Sequence, residues 1–344
     1  MSKNIEVKKL DIGMILDRDV MDSRSGVILI PKGTAITKEF INKLINYKID
    51  SVFIREEKIP EGVSNKELKD SYHNLEDALD KIFDEVKREN KLETDKILET
   101  MKDFVDEVSK ERDILTQMRL LKKKDDYTFN HSLGVCILAI ALGKWLELSR
   151  NQIFDLSIAA LFHDLGKLKI SDDIIKKPSK LTEEEAVEMR KHSFYSYKML
   201  LDTKKFNNDI LLGVLQHHEK IDGTGYPNGV SEKDIHLYAK IIAICDIYHA
   251  LTSTRTYKYK DSPLRAADYL REESFTSLDS HITQVFLKNI SRFYVGNTVL
   301  LSDGTTGVIV YIHPQDETKP IVKVGDKFID FLKEQEIEIL DITI

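Results

Sequence analysis

Residues 161–167 read Leu-Phe-His-Asp-Leu-Gly-Lys, with His163 and Asp164 side by side. The apolar run at residues 158–162 leads into the pair, and Gly166 and Lys167 follow it. An imidazole and a carboxylate in adjacent positions can each reach a metal ion, and a carboxylate has two oxygens with which to bridge two ions. The pair alone says little, because a surface histidine beside a helix-capping aspartate has the same sequence. Its weight comes from His131 before it and from His192, the His217-His218 pair and Asp246 after it. Any one of these histidines, taken singly, reads as a satisfied core or surface residue. The whole set, spread over successive apolar helical stretches, does not.

The periodicity predicts those helices. His131 opens an amphipathic helix with Val135, Leu138, Ala139, Leu142, Trp145 and Leu146 on its inner side. A second helix, over residues 153–165, is almost wholly apolar from Ile158 to Phe162 and therefore buried, which puts His163 and Asp164 at its inner end. Buried polar groups without partners cost several kcal/mol, roughly 2–7 for neutral groups. A metal ion is one way to supply the partners. A third helix is expected over residues 181–201, capped by Thr182, with Glu183 to Glu185 at the positive end of its dipole, and it carries His192. A fourth, over residues 210–218, ends in His217-His218, and a fifth, over residues 237–251, is apolar around Asp246. An aspartate beside Ile244 and Cys245 calls for a cation or for hydrogen-bond partners.

Residues 217–230 read HHEKIDGTGYPNGV. Gly223, Gly225, Gly229 and Pro227 make an irregular loop directly after two candidate ligands. Such a loop can bring backbone N–H groups to an anion and leave room for a bulky substrate; the plainer reading is a connection between helices. Downstream, Arg255, Lys258 and Lys260 read either as a solvated basic turn or as phosphate clamps.

The rest of the chain is organised around this part. Residues 5–54 read as a small α+β unit: strands over residues 27–30 and 51–54, turn signals at Gly13, Ser25-Gly26 and Pro31-Lys32-Gly33, and a helix over residues 37–47 that starts at Thr37 and carries Phe40, Ile41, Leu44 and Ile45 on one face. Residues 59–65 look like a linker. Residues 66–124 are charged and helical, with Leu75, Leu79, Ile82 and Val86, then Ile97, Met101, Phe104 and Val108, at three- and four-residue steps. They fit helices packed on the next domain, or a hairpin or coiled-coil stalk that dimerises, with the heptads broken at residues 88–91. Residues 294–344 change to β-rich runs around Gly304 and Gly307, a hairpin across Gly325-Asp326 and a last strand, a pattern resembling an SH3-like barrel. The expected fold class is mainly α: an all-helical metal-binding domain at residues 125–292, a small N-terminal α+β domain at residues 1–58, a linker and helical stalk at residues 59–124, and a small β appendage at residues 293–344.

Composition sets the outer limits. A length of 344 residues allows two or three domains, and 42% hydrophobic residues support real cores. A net charge of −7 argues against binding to a nucleic acid polymer. No apolar run approaches the roughly 20 residues of a membrane span, and the first residues lack a signal-peptide core, so a cytoplasmic protein without a membrane partner is expected. Cys136 and Cys245 each lie in an apolar segment and read as buried free thiols in a reducing compartment.

HDLGK at residues 163–167, HHEKIDGTGYPNG at residues 217–229 and CDIYHALTSTRTYK at residues 245–258 together resemble the HD-GYP family, a branch of the HD-domain metal phosphohydrolases, over about residues 127–270. The N-terminal segment is similar to the domain often found ahead of HD-GYP domains in bacterial proteins. The resemblance implies an all-helical catalytic domain that hydrolyses cyclic di-GMP to linear pGpG and in some cases to GMP. Matched to its pattern, His131, His163, Asp164, His192, His217, His218 and Asp246 are metal ligands, and Asp164 is the bridging carboxylate. Lys167 corresponds to the lysine on the scissile phosphate, Arg255 and Lys258 to residues that hold substrate phosphates, and Gly225, Tyr226 and Pro227 to the signature loop. Mixed imidazole and carboxylate ligation suits iron, manganese, zinc, cobalt or nickel, and the resemblance favours iron or manganese.

Some positions depart from the pattern. Members with a third metal have a glutamate where Tyr127 stands, and Asp125 and Asp126 are out of register, so two divalent metals per chain are expected. His249 replaces the usual aspartate and Thr256 the usual proline. The ligand set implies two cations bridged by Asp164 that share a water, lower its pKa toward neutrality and leave a hydroxide in line with the 3′ oxygen, with Lys167 on the non-bridging oxygens. Alternatives are a phosphodiesterase for another cyclic dinucleotide such as cyclic GMP-AMP, a cyclic dinucleotide receptor with little turnover, and a general nucleotidase. A homodimer through residues 66–124 is expected, and the sequence does not identify other protein partners.

Overall fold

The computed structural model describes residues 2–10, 14, 16–18, 20–21, 28–30, 36, 41, 44–45, 47, 49–55, 66–89, 92–110, 127–177, 179–253 and 262–343. The chain forms two compact units, Ser64–Asp261 with Arg265–Asn289, and Met1–Val63 with Ser262–Leu264 and Ile290–Ile344.

The first of these units is helical. Helices α1 (Lys66–Glu89) and α2 (Asp95–Lys110) pack on each other. The residues picked out by the periodicity, Leu75, Leu79, Ile82 and Val86 on α1 and Ile97, Met101, Phe104 and Val108 on α2, are buried, with Leu68, Tyr72, Ala78 and Val105 beside them. Helix α2 also lies against α3 (Tyr127–Trp145) and α4 (Arg150–Phe162), where Lys144 donates to the Ser109 carbonyl and Arg150 pairs with Asp106. Thus the described part of residues 66–124 packs within the same unit as the helices that carry the candidate ligands. The expected break at residues 88–91 coincides with the end of α1.

Helix α4 starts in a capping box between Ser149 and Gln152. It ends at Phe162, where His163 and Asp164 turn the chain into a short 3-10 helix, Leu165–Lys169. After α5 (Asp172–Ile175), the helix expected over residues 181–201 is in fact two. Helix α6 (Glu183–Arg190) has Thr182 and Glu185 as its capping box, the chain turns at Lys191, and α7 (His192–Thr203) begins at the histidine itself. Helix α8 (Asn208–Leu215) is capped by Asn207 and stops short of His217-His218, which lie in the following turn rather than on the helix. Helix α9 (Leu237–Thr252) packs on α3, α4 and α8. Helices α10 (Pro263–Glu273) and α11 (Ser280–Ile290) follow, and Phe286 of α11 meets the rings of Trp145 and Tyr248.

In the other unit, β1 (Ser2–Glu6) pairs antiparallel with β4 (Ser51–Arg55), and β2 (Val20–Met21) with β3 (Ile28–Ile30). Val7, Leu16, Ile36, Leu44, Val52 and Ile54 share a core. Most of the helix expected over residues 37–47, the turn signals at Gly13, Ser25-Gly26 and Pro31-Lys32-Gly33, and the linker at residues 59–65 lie outside the described residues. The C-terminal part is a five-stranded antiparallel sheet in the order β8-β7-β6-β5-β9, with β5 (Thr298–Leu301), β6 (Thr306–His313), β7 (Asp316–Val324), β8 (Lys327–Asp330) and β9 (Ile339–Thr343). The β7–β8 hairpin turns at Gly325, whose φ of +58° favours glycine. The architecture is the mainly α one expected, with a small N-terminal region and a β appendage.

Candidate metal centre

The candidate ligands converge at the inner ends of α4, α7 and α8 and on the facing sides of α3 and α9. Asp164 lies at the middle. Its Oδ1 is 3.3 Å from His192 Nε2, and its Oδ2 is 3.4 Å from His163 Nε2 and 3.6 Å from His131 Nε2. Asp246 Oδ1 is 2.9 Å from the same nitrogen of His131. Two overlapping groups result. In one, His131, His163 and Asp164 offer ligand atoms within 4.8 Å of one another; in the other, Asp164, His192, His217 and His218 do the same. Asp164 belongs to both.

Helix ends orient the imidazoles. His163 Nδ1 lies 2.8 Å from the Ala160 carbonyl, His192 Nδ1 2.7 Å from that of Met189, and His217 Nδ1 2.7 Å from that of Val214. Each carbonyl sits in the last turn of a helix, where no N–H four residues on is available to it. A proton on Nδ1 leaves the lone pair on Nε2, and Nε2 is the nitrogen facing Asp164. Asp164 itself is positioned through its turn. An added Cβ on Gly166 would lie 2.0 Å from the His192 carbonyl oxygen and 2.6 Å from the Ser196 nitrogen, so the close approach of this turn to α7 needs a glycine. Ser196 Oγ accepts from Gly166 N–H at 2.7 Å and donates to the His163 carbonyl at 2.8 Å.

The electrostatics favour an unprotonated, neutral ring at His192, His217 and His218 and a full charge on the carboxylates, while at His163 burial is outweighed by Asp164, which raises it. Burial, with the neighbouring imidazole of His218, holds His217 well below the ordinary histidine range. Burial likewise brings His218 down to about 3, against the pull of Asp246. Burial opposes ionisation of Asp164 and Asp246, yet Lys167 and His163 hold the first, and His131 the second, well below the usual carboxylate range. Lys167 Nζ is 2.5 Å from Asp164 Oδ2. His163 Nε2 and Asp164 Oδ1 are buried with no hydrogen bond among the described residues. A cation would satisfy both atoms, and neutral imidazoles beside ionised carboxylates are the donor set a divalent transition metal takes.

The glycine-rich loop closes over His218. The Tyr226 ring stacks on it with centroids 4.6 Å apart, Tyr226 N–H donates to the His218 carbonyl, and the Arg190 guanidinium sits 5.6 Å from the Tyr226 centroid. Burial and the carboxylates of Asp164 and Asp246 push the Tyr226 phenol far up, so it stays protonated. Gly225 is pressed on the backbone of residues 218–220, where an added Cβ would lie 2.4 Å from the Lys220 nitrogen. Pro227 follows a cis peptide bond. The buried Glu219 accepts from Asn228 N–H at 2.7 Å and Val230 N–H at 3.2 Å, and so holds the far arm of the loop.

Sequence reasoning passed over Glu219, Ser196 and Arg190. Glu219 was in view directly after the double histidine, but its partners lie nine and eleven residues on. Arg255, Lys258 and Lys260, with Thr256, Asp125 and Asp126, lie outside the described residues; Tyr127 is the first residue of α3. Cys136 and Cys245 are buried free thiols, as expected. Among the described residues no helix is long and apolar enough to cross a membrane.

A family model described as HD domain matches residues 94–282. A protein of Pseudomonas aeruginosa named cyclic di-GMP phosphodiesterase is 38% identical over 228 residues, which cover 64% of this chain and 54% of that protein. A Borreliella burgdorferi protein of the same name is 28% identical over 306 residues, 88% of this chain and 80% of its own length. The chain thus spans about half the length of the first relative and four fifths of the second. Among solved structures, an HDG"Y"P protein from Bdellovibrio bacteriovorus aligns over 83% of this chain and 98% of its own, with a TM-score of 0.53 and 17% identity, a likeness of fold.

Proposed function

The chain belongs to the HD domain family, in its HD-GYP branch, and from that premise we propose that it is a metal-dependent phosphodiesterase that hydrolyses cyclic di-GMP to pGpG, and to GMP where the second ester is also cut. The observation that carries the proposal is the sharing of Asp164 by two ligand groups. His131, His163, Asp164 and Asp246 would hold one divalent cation, and Asp164, His192, His217 and His218 the other, iron or manganese first, with zinc, cobalt and nickel also suited to the donors. When bound, such a pair supplies Lewis acidity and a water acidified toward neutral pH.

The chain's own residues supply the rest. Asp164 presents one oxygen to each group. Lys167, now paired with Asp164, carries a positive charge at the point where a non-bridging phosphate oxygen gains charge. Tyr226, with Gly225 and Pro227, offers a protonated phenol and an aromatic face beside His218. Arg255 and Lys258 are proposed to hold the outer phosphate, and a homodimer through residues 66–124 remains part of the reading. Light scattering that gives a monomer at all concentrations removes the dimer alone.

The test is turnover by anaerobically purified protein, with products separated by chromatography. Formation of pGpG or GMP supports the proposal. Preferred cleavage of cyclic GMP-AMP in the same assay changes the substrate. Tight binding of cyclic di-GMP without product turns the protein into a receptor.

A further inference from the structure

We propose that His249 and Gly134 together position His131, by fixing which of its ring nitrogens faces the cation; this rests on the metal reading above. His163, His192 and His217 stand at helix ends and take their orientation from carbonyls in the last turn of the preceding helix. His131 lies inside α3, where the ladder of backbone hydrogen bonds occupies the neighbouring carbonyls. Its Nδ1 instead meets Nδ1 of His249, reaching across from α9, at 3.1 Å. Both rings are buried, at 3% and 2% exposure.

The two nitrogens constrain each other. A hydrogen bond between them needs one proton, not two and not none. For His131 Nε2 to offer a lone pair beside Asp164 and Asp246, the His131 proton must be on Nδ1. His249 must then accept at Nδ1 and carry its own proton on Nε2; Ser253 Oγ lies 3.3 Å from each of these two nitrogens and is within reach to accept that proton. This partner differs from a carboxylate in one respect: it accepts the bond but adds no negative charge to the ligand behind it, so His131 is the weaker donor for it.

Space for the ring comes from α3 itself. An added Cβ at residue 134 would lie 2.1 Å from His249 Nε2, 2.4 Å from Cδ2 and 2.8 Å from Cε1. Glycine is a poor choice inside a helix on propensity grounds. Here it is required by a ring on another helix that serves a ligand one turn away. Gly134 therefore affects the metal through two intermediaries and touches no ligand group.

Mn(II) binding to the full chain, followed by competition with a chelating dye in anaerobic buffer, tests this. Removing an outer partner of a ligating histidine weakens metal binding about 10–100-fold. His249→Leu is expected to weaken one of two binding steps by that factor and leave the other, which depends on His192, His217 and His218, unchanged. His249→Asn keeps an acceptor and is expected to stay within about threefold of wild type, a small part of that range. Gly134→Ala removes nothing from the core and is expected to weaken the same step as His249→Leu; it decides the matter if His249→Leu does not fold. Wild-type binding in the Gly134→Ala and His249→Leu proteins overturns the positioning role and leaves the metal reading intact. Equal loss in both steps, in the Asn variant as in the Leu one, makes His249 a packing residue and also overturns it. A wild-type protein that takes up no Mn(II) overturns the metal reading and this inference with it.

Discussion

Gly166→Ala puts the smallest possible group at the tightest point of the ligand scaffold. The added Cβ would lie 2.0 Å from the His192 carbonyl oxygen, 2.6 Å from the Ser196 nitrogen and 2.8 Å from the Tyr195 Cβ. Two of these are backbone atoms of the first turn of α7, so no side chain can rotate away. The 3-10 turn and α7 must separate by about 1.4 Å to restore an ordinary contact. Overpacking of this kind costs about 1–3 kcal/mol. The separation also stretches the bond from Gly166 N–H to Ser196 Oγ, worth about 1 kcal/mol when buried. A total of about 2–4 kcal/mol corresponds to a fall in Tm of roughly 5–15 °C for a unit of this size. The same movement carries His163 and Asp164 away from His192, and a misplacement of about 1 Å can cost a hundredfold in rate. Gly143→Ala is the control. An added Cβ there meets side-chain carbons of Leu156 and Ile153 at 3.2 and 3.3 Å, and alanine is the better helix former inside α3. Differential scanning fluorimetry of both variants, with metal content and turnover, gives the answer. A Gly166→Ala protein with wild-type Tm, metal content and turnover would refute the reasoning.

Glu219→Ala removes the acceptor of the half-buried N–H groups of Asn228 and Val230; a loss of about 1–2 kcal/mol and early proteolytic nicking within residues 219–230 are expected, against no change in nicking if the loop holds itself. Asp279 caps α11 through Ile282 N–H and pairs with Lys240 at 3.0 Å, and although burial opposes it these partners lower its pKa. A carboxylate with a lowered folded pKa stabilises above its unfolded pKa and loses that effect as pH falls through the folded one. Asp279→Ala should therefore cost about 1 kcal/mol at pH 7, and the gap to wild type should narrow below about pH 4; a gap that is constant from pH 3 to 8 contradicts this. Burial pushes the thiols of Cys136 and Cys245 up, so neither should react with a thiol reagent in the folded protein and both should react in denaturant.

The helices were legible because their apolar residues recur at helical spacing. Leu75 to Val86 and Ile97 to Val108 are buried where the period puts them, whereas α3, expected to be amphipathic, is buried on every side from His131 to Gly143 because helices pack all round it. The candidate ligands stand out because histidine and aspartate are rare in such surroundings. What escaped depends on partners distant in sequence. Nothing local breaks residues 181–201 at Lys191, since no glycine or proline stands there. Helix α7 starts where the turn at Gly166 packs on it. Helix α8 stops before His217 as Gln216 reaches away, its side chain bonding the Asp234 carbonyl and the His236 N–H. The replacement of aspartate by His249 was visible as a departure, but its connection to Gly134 exists only across two helices.

The central claim is that one carboxylate, Asp164, serves two cations. The most direct measurement is the number of Mn(II) ions retained per chain after anaerobic loading and desalting, wild type beside Asp164→Ala. The account predicts about two for wild type and none for the variant, with turnover lost alongside. An Asp164→Ala protein that keeps both ions, or that keeps full turnover, would contradict it.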